Sequence, residues 1–200
     1  MDNEQGYIIN NVVSACIICN ERKHTLSYPS FYNKAICIYE NIVKVESPFP
    51  LIGNIITPVE DGWPYLPGIA ARNSLIRRYK NDAKDRNLIF MLTKEEATYL
   101  FKQNCFYCGV KPSRVIDNKE LNGSYTYNGI DRVDNSMGYL KENCVPCCQI
   151  CNSWKSNWTL TQFKEWITSI MKEHNFSSKI KEIPDITKLT LGKPFSVSHP

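Results

Sequence analysis

The chain is predicted to be a small α+β protein held together by a structural metal, and three observations predict it. Two Cys-x2-Cys turns, Cys105–Cys108 and Cys148–Cys151, stand forty positions apart. A short extended segment through Tyr125, Tyr127 and Ile130 ends at Asp131, and a turn-rich loop (Asp134, Asn135, Ser136, Met137, Gly138) separates it from a second apolar stretch reaching Cys147, the pattern of a hairpin. Apolar residues recur at helical spacing in 69–87, 93–101 and 160–171.

The cysteines carry the most specific signal. Two paired turns of this kind aim four sulfurs at one point, which suits tetrahedral zinc, and Gly109 permits the tight backbone after the first turn. The chain has nine cysteines, an odd number, and its opening lacks the basic start and apolar run of a secretory segment. A disulfide framework is therefore disfavoured, and a reducing, intracellular setting is expected. Cys144 and Cys147 offer a competing Cys-x2-Cys; choosing it would move the turn away from Asn152, so they are read as buried or spare thiols.

Earlier in the chain, Cys16-x2-Cys19, Cys37 and Glu40 have the outline of a zinc ribbon with a carboxylate in place of the fourth thiolate, and His24 is another nearby ligand. The opposing reading is a decayed ribbon with three reduced cysteines. A stretch from 46 to 68 dense in proline and glycine reads as a connector, with Trp63 and Tyr65 available to pin it to a neighbour. The expected organisation is a zinc-ribbon-like unit over 1–45, connector and basic helix over 46–88, a metal-stabilised core over 89–175, and a polar tail over 176–200.

The basic helix follows the connector. Leu75, Ile76, Tyr79 and Ala83 form its apolar stripe, while Arg72, Arg77, Arg78, Lys80, Lys84 and Arg86 lie mostly off it. Against a net charge of only +4, this local concentration is what points to a polyanionic partner; the plainer reading is a solvated face. Thr93-Lys94-Glu95-Glu96 and Thr159-Leu160-Thr161-Gln162 have capping-box spacing. The first opens a short helix with Ala97, Leu100 and Phe101, expected to pack under the zinc site. The second opens a helix whose stripe is Phe163, Trp166, Ile167, Ile170 and Met171. The polar segment 111–123 reads as a loop, and no apolar run reaches the length of a membrane span.

A structural zinc does no chemistry, so the candidate reactive groups are the oxygen-bearing side chains beside the cysteine turns. Asp131 closes the first strand, and Asn152 directly follows the last sulfur ligand. Carboxylate and amide oxygens are what a hard cation such as Mg²⁺ or Mn²⁺ takes.

The segment 92–174 resembles the HNH (ββα-metal) nucleases, on Asp131-Arg132, Asn143, Cys148-x2-Cys151-Asn152 and Lys155, and the run GIDRVDNS…GY…N…VPCC…CN…K is similar to forms in phages and large DNA viruses. The resemblance implies a treble-clef-like core, a DNA substrate and hydrolysis of a phosphodiester bond assisted by a divalent ion on Asp131 and Asn152. It implies that Asn143 ties the loop to the hairpin, and it adds Lys155 to the residues facing nucleic acid. Arg132 stands where the family places the histidine that deprotonates water. An arginine stays protonated and offers donors only, so it fits a phosphate clamp and not a base; Asp134, two residues on, is the nearest alternative acceptor. The competing class is a non-catalytic zinc module that binds nucleic acid with the same surface. A thiol redox protein is disfavoured, because its Cys-x2-Cys belongs in a βαβ context that the chain lacks.

Overall fold

The computed structural model describes residues 7–9, 12, 14–45, 66–117, 120 and 122–173. The expected connector, with Trp63 and Tyr65, lies almost wholly outside them, as does the expected tail.

Residues 17–23 and 28–43 are helical. Helix α1 (Ile17–Lys23) is N-capped by Cys16, and α2 (Tyr28–Ile38) by Ser27, whose side chain accepts from the Ser30 amide; α2 runs on into one π-turn, Tyr39–Val43. The expected ribbon is thus corrected. Cys37 sits within α2, Glu40 pairs with Lys44 at 2.9 Å, and among the described residues neither joins Cys16 and Cys19 in a ligand cluster. The physical reason is the stripe Phe31, Ala35, Ile38 and Ile42, which recurs at the spacing of one helix face and is buried along its length.

Next come α3 (Ile69–Asp85) and α4 (Lys94–Lys102), the latter opened by a complete capping box between Thr93 and Glu96. Strand β1 (Arg114–Ile116) pairs antiparallel with β2 (Tyr125–Tyr127), so the segment expected to be loop contributes a strand. The chain then changes partner. Strand β3 (Gly129–Arg132) pairs antiparallel with β4 (Cys144–Cys147), with Asp131 opposite Val145 and Arg132 opposite Cys144. Asn128 makes the switch: its amide donates to the Phe101 carbonyl at 2.9 Å, and its side-chain nitrogen to the carbonyls of Gln103 and Val110 at 2.9 and 3.2 Å. Helices α5 (Gln149–Lys155) and α6 (Leu160–Glu173) complete the order, α6 opened by the second capping box, in which Thr159 and Gln162 exchange hydrogen bonds.

Two apolar clusters flank the β3–β4 hairpin. One gathers Leu75, Ile76 and Ala83 of α3 with Ala97, Leu100 and Phe101 of α4, Tyr127 and Ile130. The other gathers α2, the cysteine turns, Trp154 of α5 and the α6 stripe Phe163, Ile167 and Ile170. Helix α4 therefore lies against α3 and the hairpin, and the floor under the cysteines comes from α2 and α6. Helix α2 and its π-turn share this second cluster through Phe31, Ala35, Ile38 and Ile42, whereas α1 buries no residue of its own. The fold is α+β, with small antiparallel sheets between helices.

Candidate functional site

The thiols of Cys105, Cys108, Cys148 and Cys151 converge, all four sulfurs lying within 4.8 Å of one another. Those of Cys108 and Cys148 stand 3.8 Å apart. Tetrahedral zinc with bonds of about 2.3 Å needs sulfurs about 3.8 Å apart, so the donor set and its spacing fit a structural zinc. Local backbone explains the convergence. The Gly109 amide donates to the Cys105 carbonyl at 2.8 Å with Gly109 at φ 72, and the Cys148 sulfur caps α5 by accepting from the Cys151 amide at 3.5 Å. Cys144 and Cys147 stay outside the cluster as buried thiols. Burial pushes the Cys144 thiol up to about 12, and Cys147 donates to the Cys148 carbonyl at 3.3 Å.

Tyr107 links this centre to the hairpin. It lies between the two cysteines of the first turn and donates its hydroxyl to Asp131 Oδ2 at 2.6 Å. The Lys155 ammonium reaches the same oxygen at 3.2 Å and donates to the Arg132 carbonyl at 2.9 Å. Lys155 is 0% exposed and Asp131 5%. Burial pushes the Asp131 pKa above the ordinary carboxylate value, while the Lys155 charge and the Tyr107 hydrogen bond pull the other way. Burial and the Asp131 carboxylate together push the Tyr107 phenol far up, so it stays protonated and acts as a donor. Among the described residues no hydrogen bond is made to Asp131 Oδ1. Asn152 is exposed three positions before Lys155 on α5, a spacing that sets both on one side of the helix.

The loop after β3 is closed by two buried polar side chains. Arg132 donates to the Asn135 and Met137 carbonyls at 2.8 and 2.7 Å, with its guanidinium 5.4 Å from the Tyr139 ring centroid. Asn143 accepts from the Asp134 amide at 2.9 Å and donates to the Asp134 and Gly138 carbonyls at 2.9 and 3.0 Å. Asp134 is exposed, its Oδ1 accepting from the Ser136 amide and hydroxyl; these bonds hold its pKa below the ordinary value.

Several of the sequence-selected residues are placed otherwise than expected. Lys155 is turned inward to Asp131 and away from any surface a nucleic acid would meet. Arg72 is 4% exposed, with its guanidinium against Asn73. Arg78 donates to the Tyr127 hydroxyl at 3.2 Å, and Arg86 to the Tyr139 hydroxyl at 2.9 Å, so although exposed they also tie α3 to the hairpin side. Arg77, Lys80 and Lys84 form the exposed stripe of that helix, Lys80 with its ammonium 5.8 Å from the Phe90 ring centroid.

Two features were missed in the sequence although the signal was there. Helix α1 repeats α5: Cys16-x2-Cys19-Asn20-x2-Lys23 matches Cys148-x2-Cys151-Asn152-x2-Lys155. Each helix is capped by its first cysteine, and each ends at a positive-φ residue, His24 at 44 and Ser156 at 50. The other is Lys34, a charge set among the apolar residues of α2, between Phe31 and Ile38.

No family model matches the chain. It is 30% identical to the R423 protein of Acanthamoeba polyphaga mimivirus over 179 residues, 88% of this chain and 29% of that protein. It is 34% identical over 112 residues to YoqL, a product of the SPbeta prophage in Bacillus subtilis (strain 168) that carries an HNH endonuclease name, covering 52% of this chain and 45% of that protein. The chain therefore spans less than half the length of either relative. Among solved structures it is similar to the rare-cutting HNH restriction endonuclease PacI, at 23% identity and a TM-score of 0.37 over 51% of this chain and 78% of that one. With the convergent cysteine turns, the hairpin and the closing helix in the order of the motif, the chain resembles the prophage HNH endonuclease relative, and its α+β core is built around four cysteines that fit a structural zinc.

Proposed function

We propose that the chain is a metal-dependent DNA endonuclease that hydrolyses phosphodiester bonds at the surface where β3 meets α5. The observation that carries the reading is Asp131. Its Oδ2 is fixed from two sides, by Tyr107 of the cysteine turn and Lys155 of α5, which leaves Oδ1 for a ligand that we propose Asn152, exposed on the same helix as Lys155, also holds. A carboxylate and an amide oxygen held on rigid elements are donors that Mg²⁺ or Mn²⁺ accepts. Such an ion supplies Lewis-acid polarisation of a phosphoryl oxygen and a more acidic bound water. The chain's own residues do the positioning. Asn143 and Arg132 hold the loop that carries Asp134, and Lys155 keeps the Asp131 carboxylate oriented. Asp134 is the exposed proton acceptor nearest in the chain, and its lowered pKa makes it a weak one. The HNH endonuclease name of the prophage relative supports the same class of reaction.

Arg77, Lys80 and Lys84 are proposed to track the DNA backbone. A second reading, a zinc module that binds nucleic acid without cutting it, is favoured by Arg132, which puts a non-basic side chain at the position of the base and spends its donors on its own loop. Cleavage of plasmid, branched and single-stranded DNA with Mg²⁺ or Mn²⁺, with and without chelator, separates the two. Asp131→Ala and Asn152→Ala are each expected to abolish cutting while DNA binding persists. Binding with no cutting of any substrate would select the second reading.

A further inference from the structure

Four thiolates around a zinc ion leave a surplus of about two negative charges. That charge lies among buried groups here, where uncompensated charge is costly. A cation from an upstream helix stands against it. Lys34 of α2 places its ammonium 2.8 Å from the Cys108 sulfur and 3.3 Å from the Cys148 sulfur, one thiol from each turn. Among the described residues it is in no ion pair with a carboxylate. It occupies the face of α2 that carries Phe31, Ala35 and Ile38, a position at which lysine is unfavourable unless its charge is met inside.

We propose that Lys34 is a charge-compensating group of the metal centre: it donates hydrogen bonds to the Cys108 and Cys148 thiolates, tightens retention of a thiophilic dication, and makes α2 part of the metal site. This rests on the reading that the four cysteines hold zinc. An ammonium can direct one of its donors at each sulfur while neutralising part of the surplus charge. Hydrogen bonding withdraws electron density from a thiolate, so the same contact makes both sulfurs poorer targets for alkylating agents. The interaction also ties a helix more than seventy residues upstream to both cysteine turns.

The test uses the full chain as wild type, Lys34→Met, which keeps the length and apolar stem of the side chain, and Lys34→Arg, which keeps the charge. Zinc affinity by chelator competition is expected to fall about 10–100-fold in Lys34→Met, the range for groups that orient and tune metal ligands, and to recover largely in Lys34→Arg. In cobalt-loaded protein the thiolate-to-metal charge-transfer band is expected to move to longer wavelength in Lys34→Met, because loss of the N–H···S bonds raises the sulfur lone pairs. Unchanged zinc affinity overturns the proposal, and so does weaker zinc with an unmoved cobalt band, which would make Lys34 a packing residue only. Should Lys34→Met not fold, Lys34→Gln is read by the same band. A wild-type chain that takes up neither zinc nor cobalt would overturn the metal reading itself.

Discussion

At the scale of single residues, the site is organised by a buried ion pair with one uncommitted oxygen. Asp131 and Lys155 face each other at 3.2 Å with both side chains almost wholly out of water. Such a pair adds little net stability compared with an apolar pair of the same shape, because desolvation offsets the attraction, yet removing one partner strands the other charge. Lys155→Met is therefore expected to cost about 3–5 kcal/mol in urea unfolding, the range for breaking buried pairs. The double variant Asp131→Asn with Lys155→Met should regain part of that loss. Additive losses would mean that the two groups are not coupled. The pairing also shows why a lysine three residues past Asn152 reads misleadingly as a phosphate contact. Its position in the motif is legible, whereas its direction depends on a carboxylate more than twenty residues away.

At the scale of elements, α3 divides its basic residues between two tasks. Arg78 and Arg86 reach back to tyrosine hydroxyls, and the Ile130 amide donates to Tyr79 at 2.9 Å, so the helix is fastened to the strand that carries Asp131. Arg77, Lys80 and Lys84 face outward at i, i+3 and i+7, one continuous side of the helix. If that side tracks phosphates, changing all three to glutamine weakens DNA binding to a similar degree for every sequence. It also flattens the slope of log K against log salt by about 0.9 for each phosphate no longer neutralised. Fluorescence anisotropy at several salt concentrations measures both. An unaltered slope would leave the stripe as a solvated face.

At the scale of the molecule, the cysteine centre joins segments that do not neighbour one another in sequence: α2, the two turns and α6. Zinc binding in small zinc-finger peptides is worth about 10–16 kcal/mol at neutral pH, as much as the whole stability of an ordinary domain at about 5–15 kcal/mol. Stripping the metal with a strong chelator is accordingly expected to unfold this half of the protein. Trp154 reports it: the indole is buried, its ring centroid 4.9 Å from that of Phe31, and its N–H donates to the Arg22 carbonyl at 2.8 Å. Its emission should shift to the red and return when zinc is restored. Intact far-UV helicity and unshifted emission in metal-free protein would show that apolar packing suffices.

Local chemistry made the ligands, the caps and the hairpin readable without coordinates. Cys-x2-Cys turns, Thr93 with Glu96, Thr159 with Gln162, and the short extended segments on either side of the 134–138 loop each depend on neighbours a few positions away. The loop closure by Asn143 was implied by the family resemblance alone, and its hydrogen bonds to Asp134 and Gly138 fit that role. What the sequence left open depends on long-range docking. The ribbon expected of Cys16, Cys19, Cys37 and Glu40 gave way to helices, whose stripe from Phe31 to Ile42 packs in one cluster with Trp154 and the α6 residues. Lys155, Arg72 and Lys34 look alike as exposed cations in a sequence. Tertiary packing buried the first against Asp131 and the second beside Asn73, and it set the half-buried third against two sulfurs supplied by turns that lie 74 and 114 positions away.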